Sequence, residues 1–115
     1  MVTGQDIANF AKKCTGREAS KWIDDMIYNS SGFMAFCYKK VAGINLPHGT
    51  KNLLNQGTKV SRKQLKPGDL VFPHAGHVGI SIGEEKFIHA PQTYDIVKEA
   101  KVATINKFLT ARRIL

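Results

Sequence analysis

Two hydrophobic periods divide the chain into a helical first half and a strand-rich second half. Near the N-terminus, apolar residues recur at the i, i+3, i+4 and i+7 positions of one helical face. These residues are Ile7, Phe10, Ala11 and Cys14. The preceding residues 3–6 resemble a capped helix start, so we predict a first helix over residues 5–13 that ends near Gly16.

Further helical segments are predicted before the period changes. Residues 17–27 form either a second short helix or an ordered loop. The apolar positions 33, 36, 37 and 41 mark one face of a helix that stops at Gly43, which places Ser30 and Ser31 at its N-terminus. Thr50 is expected to cap a short helix that Gly57 closes.

Beyond a turn predicted at residues 66–69, apolar and polar residues alternate as they do in half-buried strands. This alternation predicts about five strands, at residues 70–72, 77–82, 86–90, 94–99 and 107–114. Helices first and antiparallel strands second define the α+β class. With 115 residues and no visible linker or repeat, the chain is expected to form a single domain over residues 1–115.

Composition narrows the classes of function. The apolar fraction of 43% indicates a folded globule, and the formal charge of +8 predicts attraction to polyanions or to an acidic protein. The basic residues are scattered and form no recognised nucleic-acid-binding pattern, so nucleic acid is not an expected partner. No basic-then-apolar leader opens the chain, and no apolar run approaches the roughly 18 residues that span a bilayer, so membrane insertion is not expected.

The two cysteines have no metal or disulfide spacing. Cys14 and Cys37 belong to no Cys-x-x-Cys or Cys/His pattern, and we interpret both as buried hydrophobic residues. No metal site is expected.

Position 30 has the surroundings that a nucleophile needs. A side chain at a helix N-terminus lies at the positive end of the helix dipole, where backbone N–H groups can also stabilise an oxyanion. His77 is the best candidate for the general base, because Gly76 and Gly79 leave its imidazole accessible.

His89 is the candidate for a third residue that orients His77. Both histidines have odd residue numbers. In a hairpin register where the numbers of two paired residues add up to an even sum, such as Gly79 opposite His89, the two rings are therefore diagonally adjacent on one face. An odd-sum register would put them on opposite faces. We interpret His48 and His74 as structural or solvated residues.

Several motifs in order support a resemblance to a known family. They are Asn-Ser-Ser-Gly-Phe at 29–33, Leu-Lys-Pro-Gly-Asp-Leu-Val-Phe at 65–72, Gly-His-Val-Gly-Ile at 76–80 and Phe-Ile-His-Ala at 87–90. Residues 28–115 resemble the NlpC-type cell-wall peptidases, a papain-like family. The resemblance implies hydrolysis of peptidoglycan stem peptides, usually between γ-D-glutamate and the diamino acid, by a Cys-His-polar triad without a cofactor. Ser30 then matches the nucleophile, His77 the base and His89 the orienting residue.

This chain departs from the family at its nucleophile, because Ser30 stands where the family has cysteine. Three explanations stay open: an introduced Cys→Ser change that inactivates the enzyme, a natural homologue that only binds peptidoglycan or a partner, and a working serine hydrolase. An amidase or acyltransferase on the same fold is a further alternative. Asn29 replaces a common aspartate, and Tyr28, Ser31 and Gly76 complete the expected substrate-binding residues.

The resemblance also suggests where such a domain acts. The expected place is the bacterial cell wall or periplasm, reached by phage lysis or by secretion. The expected partner is the stem peptide, with an acidic immunity or inhibitor protein as a further candidate. We expect a monomer.

Overall fold

The computed structural model describes residues 1–15, 30–90 and 97–115. Within these ranges there are three α-helices, two single 3-10 turns and six strands. The helices are α1 (Gly4–Lys13), α2 (Ser30–Ala42) and α3 (Thr50–Leu53), and the 3-10 turns are Arg62–Gln64 and Val102–Thr104. The strands are β1 (Thr58–Val60), β2 (Leu70–His74), β3 (His77–Gly83), β4 (Lys86–His89), β5 (Lys98–Lys101) and β6 (Thr110–Arg113). The predicted segment 17–27, together with Gly16, lies outside the described residues.

The predicted first helix is confirmed as α1. Thr3 is its N-cap, and a capping box joins the two ends of the first turn: Asp6 N–H donates to the Thr3 hydroxyl, and Thr3 N–H donates to the Asp6 carboxylate. This exchange satisfies two of the backbone N–H groups that a helix start leaves unpaired. Ile7 and Ala11 are fully buried, so the predicted apolar face packs into the core.

Helix α2 also follows its prediction. It begins at Ser30 and ends at Ala42, after which Gly43 takes a left-handed conformation with φ of 69°. The predicted cap of α3 was wrong: Gly49, at φ 89° and ψ 138°, occupies the N-cap position, and no side chain caps the helix. An extended backbone with positive φ suits glycine, so Thr50 lies inside the helix rather than in front of it.

The sheet is antiparallel throughout and has the strand order β1-β6-β2-β3-β4-β5. The described residues hold six strands where about five were expected, because β1 was not predicted. Residues 94–96 of the predicted strand 94–99 lie outside the described residues. β1 is only three residues long, and a single one of them, Val60, is buried. Such a segment has no alternation to detect, and its strand character depends on pairing with β6.

Two clusters of apolar side chains cover opposite faces of the sheet. The larger cluster joins α1 and α2 to the sheet, and its members on β2, β3 and β4 are Leu70, Phe72, Val78, Ile80, Ile82 and Ile88. The smaller cluster, Val71, Phe87 and Val102, lies on the intervening positions and is flanked by Ala100, Ile105 and Phe108. Since neighbouring residues of a strand point to opposite faces, the alternation along β3 and β4 places the helices on one side only.

The predicted turn at residues 66–69 connects several elements. Asp69 N–H donates to the carbonyl of Lys66 at 3.1 Å, and the buried Asp69 carboxylate accepts two hydrogen bonds from Arg113 of β6, each of 2.9 Å. Gly68 N–H donates to the carbonyl of Ser81 at 2.8 Å, and the buried Tyr38 hydroxyl of α2 donates to the carbonyl of Gly68. The turn therefore holds α2, β3 and β6 in fixed relation. Among the described residues, no helix has the length and apolar character needed to cross a bilayer.

Candidate active site

His77 and His89 are in direct contact. His77 Nε2 and His89 Nδ1 are 2.8 Å apart, and the ring centroids are separated by 5.0 Å at an interplanar angle of 72°. The pairs Ile80↔Ile88 and Ser81↔Phe87 both have even sums, so the predicted register of the hairpin is confirmed. This register places both rings on the face of the sheet opposite the helical core.

Gly79 makes this approach of the two strands possible. A Cβ built on Gly79 would lie 2.6 Å from the Phe87 ring and 2.8 Å from the carbonyl of Ile88. It would also lie 3.2 Å from Cβ of His89. Glycine is therefore required at position 79 by the packing of Phe87 and His89, besides the access to His77 that the sequence suggested.

Burial and a neighbouring histidine both lower the pKa of His77. Burial of the imidazole is the larger cause that lowers the pKa of His77, and the nearby His74 lowers it further. The rings of His74 and His77 are stacked with centroids 5.9 Å apart, and the two residues are directly opposed across β2 and β3. Gly76 N–H donates to His74 Nδ1 at 3.0 Å, so the glycine holds the ring of His74 within the turn.

The remaining predicted site residues lie on or before α2. Ser30 and Ser31 form the first turn of the helix and are buried, with exposed fractions of 4% and 6%. Tyr28 and Asn29 lie outside the described residues. Cys37, seven residues further along α2, is fully buried, and burial raises the pKa of its thiol well above the usual range. A thiol in that state is a packing group rather than a nucleophile, as predicted for both cysteines.

A cleft of about 490 Å³ opens beside the histidine pair. Its described lining consists of Pro73, His74, His77, Phe87, His89, Ala100, Thr104, Ile105, Asn106 and Lys107. Residues 104–107 were not predicted to line the site: no motif marks residues 104–106, and a strand was predicted from residue 107 onward. The observed strand β6 begins at Thr110, and the preceding segment packs over Val71 and Phe87 instead.

The described residues include no group of three or more His, Cys, Asp or Glu side chains suited to a metal ion. The described lining of the cleft supplies imidazole groups, whereas Ser30, buried at the start of α2, is not among those lining residues. A paired imidazole with a lowered pKa is neutral at physiological pH and can accept a proton.

The order of the elements and the histidine pair on the sheet define an α+β protein of the papain-like class. The model of the NlpC/P60 family matches residues 16–113, and the chain belongs to this family. The resemblance found in the sequence motifs is thus confirmed.

Known relatives match over most of this chain. The "Murein DD-endopeptidase MepS/Murein LD-carboxypeptidase" of Escherichia coli strain K12 is 34% identical over 110 residues, which cover 87% of this chain and 54% of the relative. The "Gamma-DL-glutamyl hydrolase" of Bacillus subtilis strain 168 is 38% identical over 64 residues, covering 54% of this chain and 16% of that protein. This chain therefore spans about half the length of the first relative and a smaller share of the second.

A solved structure matches over nearly its whole length. The NlpC/p60 domain of the peptidoglycan hydrolase SagA superposes with a TM-score of 0.82 at 32% identity, covering 97% of this chain and 99% of that one. The architecture of the described residues is thus that of an NlpC/P60 domain.

Proposed function

We propose that this domain is a peptidoglycan endopeptidase whose catalytic groups are the side chain at position 30, His77 and His89. The observation that carries the proposal is the 2.8 Å contact between His77 Nε2 and His89 Nδ1 beside an open cleft. Membership of the NlpC/P60 family and the names of its hydrolase relatives support the same reaction class.

The proposal requires the N-terminus of α2 to lie near the start of β3. Tyr38 of α2 contacts Gly68, whose N–H is bonded to Ser81 in the second half of β3. From Tyr38 back to Ser30 is about 12 Å along a helix, and from Ser81 back to His77 is about 13 Å along a strand. α2 packs against β3. If the two elements run parallel, both lengths lead from the contact at Gly68 to the same end, which is the arrangement that pairing of position 30 with His77 requires.

The histidine contact also suggests which nitrogen acts as the base. If His77 Nε2–H donates to His89 Nδ1, the lone pair of His77 Nδ1 is left free to accept a proton. His89 then fixes the ring and its tautomer and stabilises the imidazolium that forms, as the third residue does in other triads.

With cysteine at position 30, the reaction follows covalent catalysis. The thiolate attacks the amide carbon, His77 gives its proton to the departing amine as the C–N bond breaks, and a thioester remains. Water that loses a proton to His77 then hydrolyses the thioester. Backbone N–H groups at the start of α2 are suited to the oxyanion of each tetrahedral intermediate.

Ser30 makes the present chain a weak catalyst in this proposal. A thiol ionises beside an imidazole, whereas a serine hydroxyl stays neutral until its proton is transferred in the transition state. We expect turnover several orders of magnitude below that of the cysteine form, by analogy with the roughly 10⁶-fold cost of losing a triad nucleophile. Substrate binding is retained, so the Ser30 protein holds uncleaved stem peptide.

The bond proposed for cleavage is the one between γ-D-glutamate and the diamino acid. The Bacillus relative, named a γ-DL-glutamyl hydrolase, supports a γ-glutamyl bond, but the longer match to the E. coli protein, named a DD-endopeptidase, favours the peptide cross-link as a second candidate. The reaction places the domain at the bacterial cell wall.

The test is Ser30→Cys, with Ser31→Cys as a matched control one position along the same helix. Purified peptidoglycan is incubated with each protein, and released fragments are identified by mass spectrometry, which also separates the two candidate bonds. We expect release by Ser30→Cys alone. An inert Ser30→Cys protein that still binds stem peptide would overturn the peptidase proposal in favour of a binding domain.

A further inference from the structure

The residues that line the cleft besides the histidines have a chemistry of their own. Phe87, Ala100 and Ile105 give it an apolar floor, and Thr104, Asn106 and Lys107 form a polar rim. A volume of about 490 Å³ falls within the range of ordinary ligand pockets, roughly 300–1,000 Å³. The cleft is therefore large enough for part of a peptide.

The described lining is suited to an anion. It contains three histidines and Lys107 but no carboxylate. Lys107 is exposed at the rim, and no ion pair joins it to an acidic residue in the described part of the chain. Its ammonium group is thus available for a ligand, and the neighbouring Asn106 adds a second polar group.

We propose that Lys107 binds a carboxylate of the peptide substrate and thereby determines specificity at the bond attacked beside His77. The substrate residue that carries this carboxylate rests its apolar part on Phe87 and Ile105, and its carboxylate pairs with the Lys107 ammonium group. The inference rests on the proposed function, because it makes the stem peptide the occupant. Stem peptides carry several free carboxylates, which matches the charge of the cleft.

Direct binding to the Ser30 protein tests the inference without turnover. A soluble stem tetrapeptide with free carboxylates, and the same peptide with every carboxylate amidated, are titrated into the protein by isothermal calorimetry. We expect Lys107→Gln to weaken binding of the free peptide roughly tenfold, the effect of one charge-assisted hydrogen bond. Binding of the amidated peptide should be weak and unaffected, and Lys107→Arg should restore most of the affinity for the free peptide.

Lys101→Gln is the matched control, because Lys101 is an exposed lysine of the nearby strand β5 that does not line the cleft. If Lys101→Gln and Lys107→Gln weaken binding of the free peptide equally, the loss of affinity comes from the lower net charge of the protein, and the inference is overturned. Unchanged binding in Lys107→Gln, or no binding of the free peptide at all, would also overturn it. Failure of the proposed function has a different signature: the Ser30→Cys protein would release nothing while Lys107-dependent binding persisted.

Discussion

The two faces of the sheet use the same strands for different purposes. On the helical face, β3 and β4 contribute only branched apolar side chains to the core: Val78, Ile80, Ile82 and Ile88. On the opposite face, the intervening residues of the same strands are His77, Gly79, Ser81, Phe87 and His89. One step along the backbone therefore separates a residue that stabilises the fold from one that shapes the site. Substitutions at adjacent positions should have separable effects.

The largest expected effect on activity comes from a substitution on the face of the sheet that carries the two histidines. In the Ser30→Cys background, His77→Ala should lower kcat/KM by about 10⁴-fold or more, because the proposed general base is removed. The free energy of unfolding should change by less than about 1 kcal/mol, since His77 is only half-buried. Peptide release from peptidoglycan and urea denaturation measure the two quantities.

His89→Ala, in the same background, is expected to lower activity less than His77→Ala does. Losing the residue that orients the base should leave measurable turnover, unlike loss of the base itself. If both variants work at near-native rates, the base has been assigned to the wrong residue.

An intermediate effect is expected from a pair of neighbouring substitutions. Ile80→Ala empties a fully buried site on the helical face and should cost about 2–5 kcal/mol of unfolding free energy, with activity per folded molecule unchanged. Gly79→Ala, on the other face, forces Phe87 and His89 away from their positions. It should therefore lose activity even where circular dichroism shows a fully folded protein.

Comparing Ile80→Ala with Gly79→Ala tests whether the two faces of the sheet have separate roles in stability and activity. Activity is normalised to the folded fraction at each denaturant concentration. A loss of normalised activity in Ile80→Ala as large as that in Gly79→Ala would show that the two faces are not separable.

The sequence could predict the histidine pair because the period of a strand fixes the faces of its side chains. Once His77 and His89 were placed on adjacent strands, only the register of the hairpin remained open. The observed pairing of Ile80 with Ile88, whose residue numbers have an even sum, is the register that puts both histidines on one face. Helix α1 was equally accessible, since its cap and its apolar face are local features.

Features that depend on distant contacts were not predictable in the same way. Strand β1 has no alternating pattern and exists through pairing with β6, about fifty residues later in the chain. The cleft wall at residues 104–107 was hidden for a related reason: its apolar residue Ile105 packs on the second cluster rather than in a strand. The requirement for glycine at position 79 likewise follows from side chains on β4.

The smallest expected effect concerns the ionisation of His77 in the Ser30 protein. Burial and the neighbouring His74 both disfavour the imidazolium, so the pKa of His77 should lie below the ordinary value of about 6.5. The base then stays neutral as pH falls to that lower pKa and is lost below it. Replacing His74 by glutamine removes the positive neighbour, so the pKa of His77 should rise, while burial keeps it under the ordinary value.

Nuclear magnetic resonance titration of the histidine side chains measures these shifts directly. His74, His89 and Lys107 line the same cleft as His77, so the comparison is made between variants rather than against a single reference. His48→Gln is the control, because His48 is exposed and lies outside the cleft. A pKa of His77 that does not rise in His74→Gln, or that rises equally in His48→Gln, would remove His74 from the groups that tune the base.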